Sequence, residues 1–132
     1  MLKKTINYTD FNGENHKEDF YFNLMKSELV EMNFSTGGGL KSFIERITNT
    51  RDHMELVKLF KELILKSYGV KSDDGKRFIK NQEVREAFEQ SNAYNELFML
   101  LASNEQEAIK FLQGILPADM AAEIPANTTP IS

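Results

Sequence analysis

The sequence contains no cysteine, only two histidines and no apolar run of membrane-spanning length. Each shortage removes some chemistry. Without cysteine there is no disulfide framework, no thiolate zinc site and no cysteine nucleophile, and the chain suits a reducing compartment. His16 and His53 are far apart, share no motif and each read as a surface residue. No window approaches the roughly 18 apolar residues of a membrane span. The opening Met1-Leu2-Lys3-Lys4 leads into Thr5-Ile6-Asn7 rather than the apolar core of a secretory signal. The expectation is a protein that is neither secreted nor membrane-spanning. What is present is 132 residues, 41% hydrophobic and 27% charged, which fits one soluble globular domain. Size scaling gives about 7,000 Å² of folded surface against roughly 22,000 Å² for the extended chain, enough for one core.

The net charge of −4 is unevenly placed. Residues 1–26, 27–65, 66–80 and 81–132 carry nets of 0, −1, +3 and −6. Lys66, Lys71, Lys76, Arg77 and Lys80 form a short basic connection, but Asp73 and Asp74 lie among them. That is a weak footprint for phosphate binding, and a solvated loop facing acidic helices accounts for it better.

Residues 2–9 alternate, with Leu2, Ile6 and Tyr8 on one face and Lys3, Thr5, Asn7 and Thr9 on the other. This is the period-two pattern of a half-buried strand, with Lys4 the one polar residue on the apolar side. Asp10-Phe11-Asn12-Gly13 is a hairpin turn signal, followed by a second strand over residues 16–24 whose Phe20, Phe22 and Leu24 share a face. A lone hairpin is marginal in water, so this face needs helices to cover it. A first helix starts near Ser27 and carries Leu29 and Met32, with Phe34 beyond. Gly37-Gly38-Gly39 interrupts it as a flexible joint. Leu40, Phe43, Ile44 and Ile47 then mark an amphipathic helix ending around Thr48, and Asn49 or Thr50 can cap the next.

From Arg51 to Ser67 apolar residues cover more than one helix face, which fits either a central core helix or one whose surplus face is a docking surface. Tyr68-Gly69 reads as its stop, with glycine in the left-handed conformation. Residues 70–80 read as a polar connection, and Phe78 and Ile79 return the chain to the core. Helical patterns follow through Val84, Ala87 and Phe88, then through Tyr94, Leu97, Phe98 and Leu101 after a cap at Ser91 or Asn92. Ser103-Asn104-Glu105-Gln106 fits a capping box for a last helix that buries Ala108, Phe111, Leu112 and Ile115 and stops at Pro117.

The motifs that would carry chemistry fail on spacing. Gly37-Gly38-Gly39-Leu40-Lys41-Ser42 has leucine before the lysine, and the first glycine of a phosphate loop would fall on Ser35. Asp73-Asp74-Gly75 would place Asn81 where a calcium loop needs glutamate, so it reads as a turn between helices. The pairs Glu28/Glu31 and Glu83/Glu86 have the spacing of ordinary solvated helix faces. No catalytic residue, cofactor or metal ligand emerges, and the chain reads as a non-enzyme.

The fold expected is α+β and mainly α, an N-terminal β-hairpin (2–24) packed on a compact bundle of about five to six helices (27–116). Residues 1–117 form one globular domain and 118–132 a flexible C-terminal tail. Several stretches resemble the tail assembly chaperones of long-tailed (siphovirus-type) phages and prophages of Gram-positive bacteria. They are Lys4-Thr5-Ile6-Asn7-Tyr8-Thr9-Asp10-Phe11-Asn12-Gly13, answered by Glu18-Asp19-Phe20-Tyr21-Phe22-Asn23-Leu24; Ser67-Tyr68-Gly69 with Asp74-Gly75-Lys76-Arg77-Phe78-Ile79-Lys80; Ala93-Tyr94-Asn95-Glu96-Leu97-Phe98; and Phe111-Leu112-Gln113-Gly114-Ile115-Leu116-Pro117. The likeness spans roughly residues 3–117.

The resemblance implies a protein of the bacterial host cytoplasm that binds the tape-measure protein, keeps it soluble and recruits tail-tube subunits. It implies absence from the mature virion, with self-association along the client. Neither nucleic acid nor membrane is expected as a partner, from the charge pattern and the lack of a long apolar run. Met32 and Phe34, beside the glycine joint, are the candidate partner-binding residues, because methionine and aromatics adapt to varied apolar partners. Their other reading is as satellite core residues. The alternative function is a small intracellular regulator or adaptor that binds another protein or nucleic acid.

Overall fold

The structure, a computed structural model, describes residues 1–31 and 53–121. Strands β1 (Leu2–Thr9) and β2 (Asn15–Phe22) pair antiparallel from Leu2↔Phe22 to Thr9↔Asn15. Alternation does the sorting: Ile6 and Phe22 are buried, while Lys3, Thr5, Asn7 and Lys17 face solvent. Lys4, the polar residue on the inner face, is accounted for by an ion pair with Glu107 at 3.0 Å. In the turn, Gly13 takes φ +84° and donates its N–H to the Asp10 carbonyl at 3.1 Å.

The second strand ends two residues earlier than its alternation suggests. Pairing with β1 ends at Leu2↔Phe22, and the next two N–H groups go elsewhere. Asn23 donates to the Ser67 carbonyl and Leu24 to the Ile115 carbonyl, both at 2.8 Å, which ties the exit of the hairpin to the ends of two helices. Leu24 stays buried all the same.

Helix α1 (Lys26–Glu31) buries Leu29, and α2 (His53–Ser67) buries Leu59, Leu63 and Ile64. Ser67, also buried, donates its hydroxyl to the Ile64 carbonyl at 3.2 Å. Gly69 does not stop α2 by a left-handed turn. Among the described glycines only Gly13 and Gly75 have positive φ, and the helix runs straight into β3 (Tyr68–Lys71), which pairs with β2 through Tyr21↔Gly69 and Phe22↔Tyr68. Glycine is needed there for space, since a Cβ would lie 2.7 Å from the Phe78 ring. The expected polar connection is a second hairpin: β4 (Phe78–Ile79) pairs with β3, and Asp73-Asp74-Gly75 turns between two strands, not two helices. The sheet is four-stranded and antiparallel, in the order β1-β2-β3-β4.

Helices α3 (Gln82–Glu89), α4 (Asn92–Ser103) and α5 (Glu105–Ile115) follow, with α6 (Ala118–Ala121) after Pro117. Asn81 and Ser91 cap α3 and α4 through their side-chain oxygens. The cap of α5 is Asn104, not Ser103. Asn104 accepts from the Glu107 N–H at 3.1 Å, while the Ser103 hydroxyl donates backwards to the Met99 carbonyl at 2.7 Å and closes α4. Ala87, expected on the apolar stripe of α3, is exposed, and Phe88 alone on that helix is fully buried.

The helices cover the inner face of the sheet around an aromatic cluster. Tyr68 and Phe88 stack with centroids 4.3 Å apart, and Phe111 meets Phe22 edge-on at 5.3 Å. Burying one such ring contributes about 2–3 kcal/mol. The result is an α+β fold, as expected from the sequence. The glycine run, the Leu40 to Thr48 helix and its neighbouring caps lie outside the described residues.

Candidate functional site

Met32 and Phe34 also lie outside the described residues. The described surface carries other apolar side chains. Met1, Met25, Met54 and Met99, the methionines whose side chains are described, are 59%, 53%, 61% and 54% exposed. The core is built from phenylalanine, leucine and isoleucine instead. The β1/β2 register sets the start of β1 beside the end of β2, which brings Met1 and the approach to Met25 and Val30 to one end of the hairpin. Phe11, 79% exposed, stands at the other end.

The polar groups hold this frame together. Lys80 reaches from the end of β4 to the Asn23 carbonyl (2.6 Å) and the Glu28 carboxylate (2.7 Å). Burial pulls its ammonium below the usual lysine range, and Glu28 pushes back. Glu28 also accepts the Met25 N–H at 2.9 Å, starting α1 as a helix-entry carboxylate should. Lys71 lies over the Tyr21 ring at 4.3 Å. Two of the five bases in the connection are thus engaged within the chain.

At the hairpin tip Asp10 organises the backbone. Its Oδ1 accepts the N–H groups of Asn12 (2.8 Å) and Glu14 (2.9 Å), and its Oδ2 meets His16 Nε2 at 2.7 Å. The His16 contact holds the Asp10 carboxyl below its ordinary range, and in return Asp10 raises His16. Tyr8 stacks on His16 at 5.1 Å and donates its hydroxyl to Glu18, which pushes the phenol up to about 12. Asp10, Glu14 and His16 offer three ligand atoms within 4.8 Å of one another, of the types that hold a divalent cation. A cation there would have to break the Asp10–His16 contact, and the trio serves the turn as it stands. Beside it an open recess of about 370 Å³ is lined by Tyr8, Thr9, Asn15, His16 and Glu96, among others.

These are parts of a surface that holds and presents side chains. A sequence model described as phage tail assembly chaperone matches residues 1–131. The chain belongs to that family. No curated protein and no solved structure matches it. Among the described residues the exposed methionines are apolar side chains that the sequence reading did not single out. Sequence periodicity does not reveal them. Met99 sits off the Tyr94, Leu97, Phe98, Leu101 stripe, but Met54 belongs to a helix apolar over most of its circumference, where only the packed structure separates core from surface.

Proposed function

We propose that this tail assembly chaperone binds the tape-measure protein in the cytoplasm of the bacterial host, keeps it soluble, brings tail-tube subunits to it and leaves before the virion is complete. Membership of the family over residues 1–131 carries the reading. The exposed methionines support it: a flexible, polarisable side chain packs against apolar partners of varied shape, as a chaperone of a long chain needs. An amphipathic client helix seats its i, i+3, i+4 and i+7 residues on such a surface. Affinity of about −8 kcal/mol per site permits release, and many copies on one client supply avidity. No helix of the described residues is long and apolar enough to cross a membrane.

Co-expression tests the proposal. The tape-measure protein encoded beside this chain is expected to stay soluble and co-purify with it. An insoluble client with no recoverable complex would sink the reading.

A further inference from the structure

β1 lies at one edge of the sheet, and its outer side is open. Asp10, just past the strand, donates its N–H to the Glu14 carbonyl at 2.8 Å. Antiparallel bonding alternates, so in this register the even residues of β1 bond to β2, while the N–H and C=O groups of Lys3, Thr5, Asn7 and Thr9 point away from it. The Thr9 carbonyl bears this out, since it accepts the side-chain amide of Asn92, at the start of α4, at 2.8 Å. The backbone groups of Lys3, Thr5 and Asn7 have no hydrogen-bond partner among the described residues.

An open edge invites another strand, and proteins guard such edges with proline, bulges or charge. Here the guards are thin. No proline or bulge interrupts the eight pairs of β1, and Lys3 is the one charged side chain among the four outward-facing residues. The opposite edge, β4, has only two residues. A client helix cannot fill the β1 edge, because its own N–H and C=O groups are bonded within the helix. The edge takes a strand, and β1 itself is complementary to it in one register.

We propose that β1 pairs antiparallel with β1 of a second copy about a two-fold axis at Thr5, joining two four-stranded sheets into one. Lys3 then faces Asn7 of the other copy and Thr5 faces Thr5, so every free N–H meets a free carbonyl and threonine meets threonine, a favourable cross-strand pair. On the covered face Leu2 and Tyr8, both half-buried, meet across the seam. Registers shifted toward the turn need the Thr9 carbonyl that Asn92 holds, and those shifted the other way set Lys4 or Lys3 against its own copy. The seam buries little apolar area, so the dimer is weak and forms at high concentration or where a client holds copies side by side. The choice of a second copy rests on the helical client of the reading above, but the pairing itself needs no client.

Sedimentation of the full-length protein without client tests it. Wild type is expected to pass from monomer to dimer as its concentration rises. Thr5→Pro removes the central outward N–H and is expected to weaken the dimer about tenfold or more. Its thermal midpoint should change little, because within the chain only the exposed Thr5–Asp19 side-chain bond is lost. Asn7→Lys, set against Lys3 of the second copy, is expected to weaken the dimer about threefold, and adding Lys3→Glu to restore it. A rescue that fails overturns the register at Thr5. Wild type that stays monomeric at millimolar concentration overturns the proposal, as does a dimer indifferent to both Thr5→Pro and Asn7→Lys. If wild type is monomeric alone and Thr5→Pro loses co-expressed tape-measure protein, the edge belongs to a client strand and self-pairing is overturned. Each of these results leaves the chaperone reading standing, and that reading fails only where wild type does not keep the tape-measure protein soluble.

Discussion

The two hairpins of the sheet are specified in different ways. β1 and β2 share eight residue pairs, and alternation along both strands sets their register, because a one-residue slip would turn Ile6 and Phe22 to solvent. β3 and β4 share two pairs. So short a ladder has little alternation to fix it, and its position depends on particular contacts: Gly69 under the Phe78 ring, and Lys80 bonded to Asn23 and Glu28. A long hairpin tolerates the loss of one contact, and a short one does not.

The largest effect is expected where both hairpins meet. Phe22 is fully buried, pairs with Leu2 on one side and Tyr68 on the other, and touches the Phe88 and Phe111 rings. Phe22→Ala should cost about 3–5 kcal/mol, measured by denaturant unfolding, and should loosen both hairpins together. A loss under about 1 kcal/mol would mean that the two hairpins do not share a core.

A smaller and more selective effect is expected at Gly69. Gly69→Ala places a methyl 2.7 Å from a ring that is itself packed on the sheet, and overpacking of this kind costs about 1–3 kcal/mol. The damage should be confined to the second hairpin, read as faster amide exchange at Val70 and Ile79 with protection of β1 retained. Equal loss in both hairpins would contradict the comparison.

The same contrast explains what a single sequence makes legible. The strand pattern of residues 2–9 and the helical stripes of Tyr94 to Leu101 and Ala108 to Ile115 are long enough for their periods to show, and each lands in the element expected. Tyr68-Gly69-Val70-Lys71 is too short, and its glycine after a helix imitates a stop when its purpose is to make room for Phe78, nine residues later. Ser103 and Asn104 are adjacent cap formers, and only the Met99 carbonyl waiting behind Ser103 decides between them. The family was legible through motifs that are structural, such as the hairpin and Ala93 to Phe98. The presented side chains were not, because an exposed methionine and a buried one look alike until their neighbours are placed.

The smallest effect separates the two turns by pH. In the first, Asp10 and His16 hold each other charged, Asp10 lowered and His16 raised. Asp10 then contributes stability above its ordinary value of 3.8 that fades as pH falls through its lowered value. His16 contributes in the opposite sense: its share is full below 6.5 and is lost as pH rises through its raised value. The first turn is therefore best braced in weakly acidic solution. In the second turn Asp74 is lowered by the Ser72 hydroxyl and the Lys76 N–H, so its contribution is constant above 3.8. Between pH 5 and 8 the difference in thermal midpoint between wild type and His16→Gln should shrink as pH rises, while that for Asp74→Asn stays level. Both turns are solvent-exposed, so the shifts will be small, but their slopes differ in kind. A level trace for His16→Gln would show that the imidazole is not charged by its neighbour, and the first turn would then rest, like the second, on hydrogen bonds whose strength does not change between pH 5 and 8.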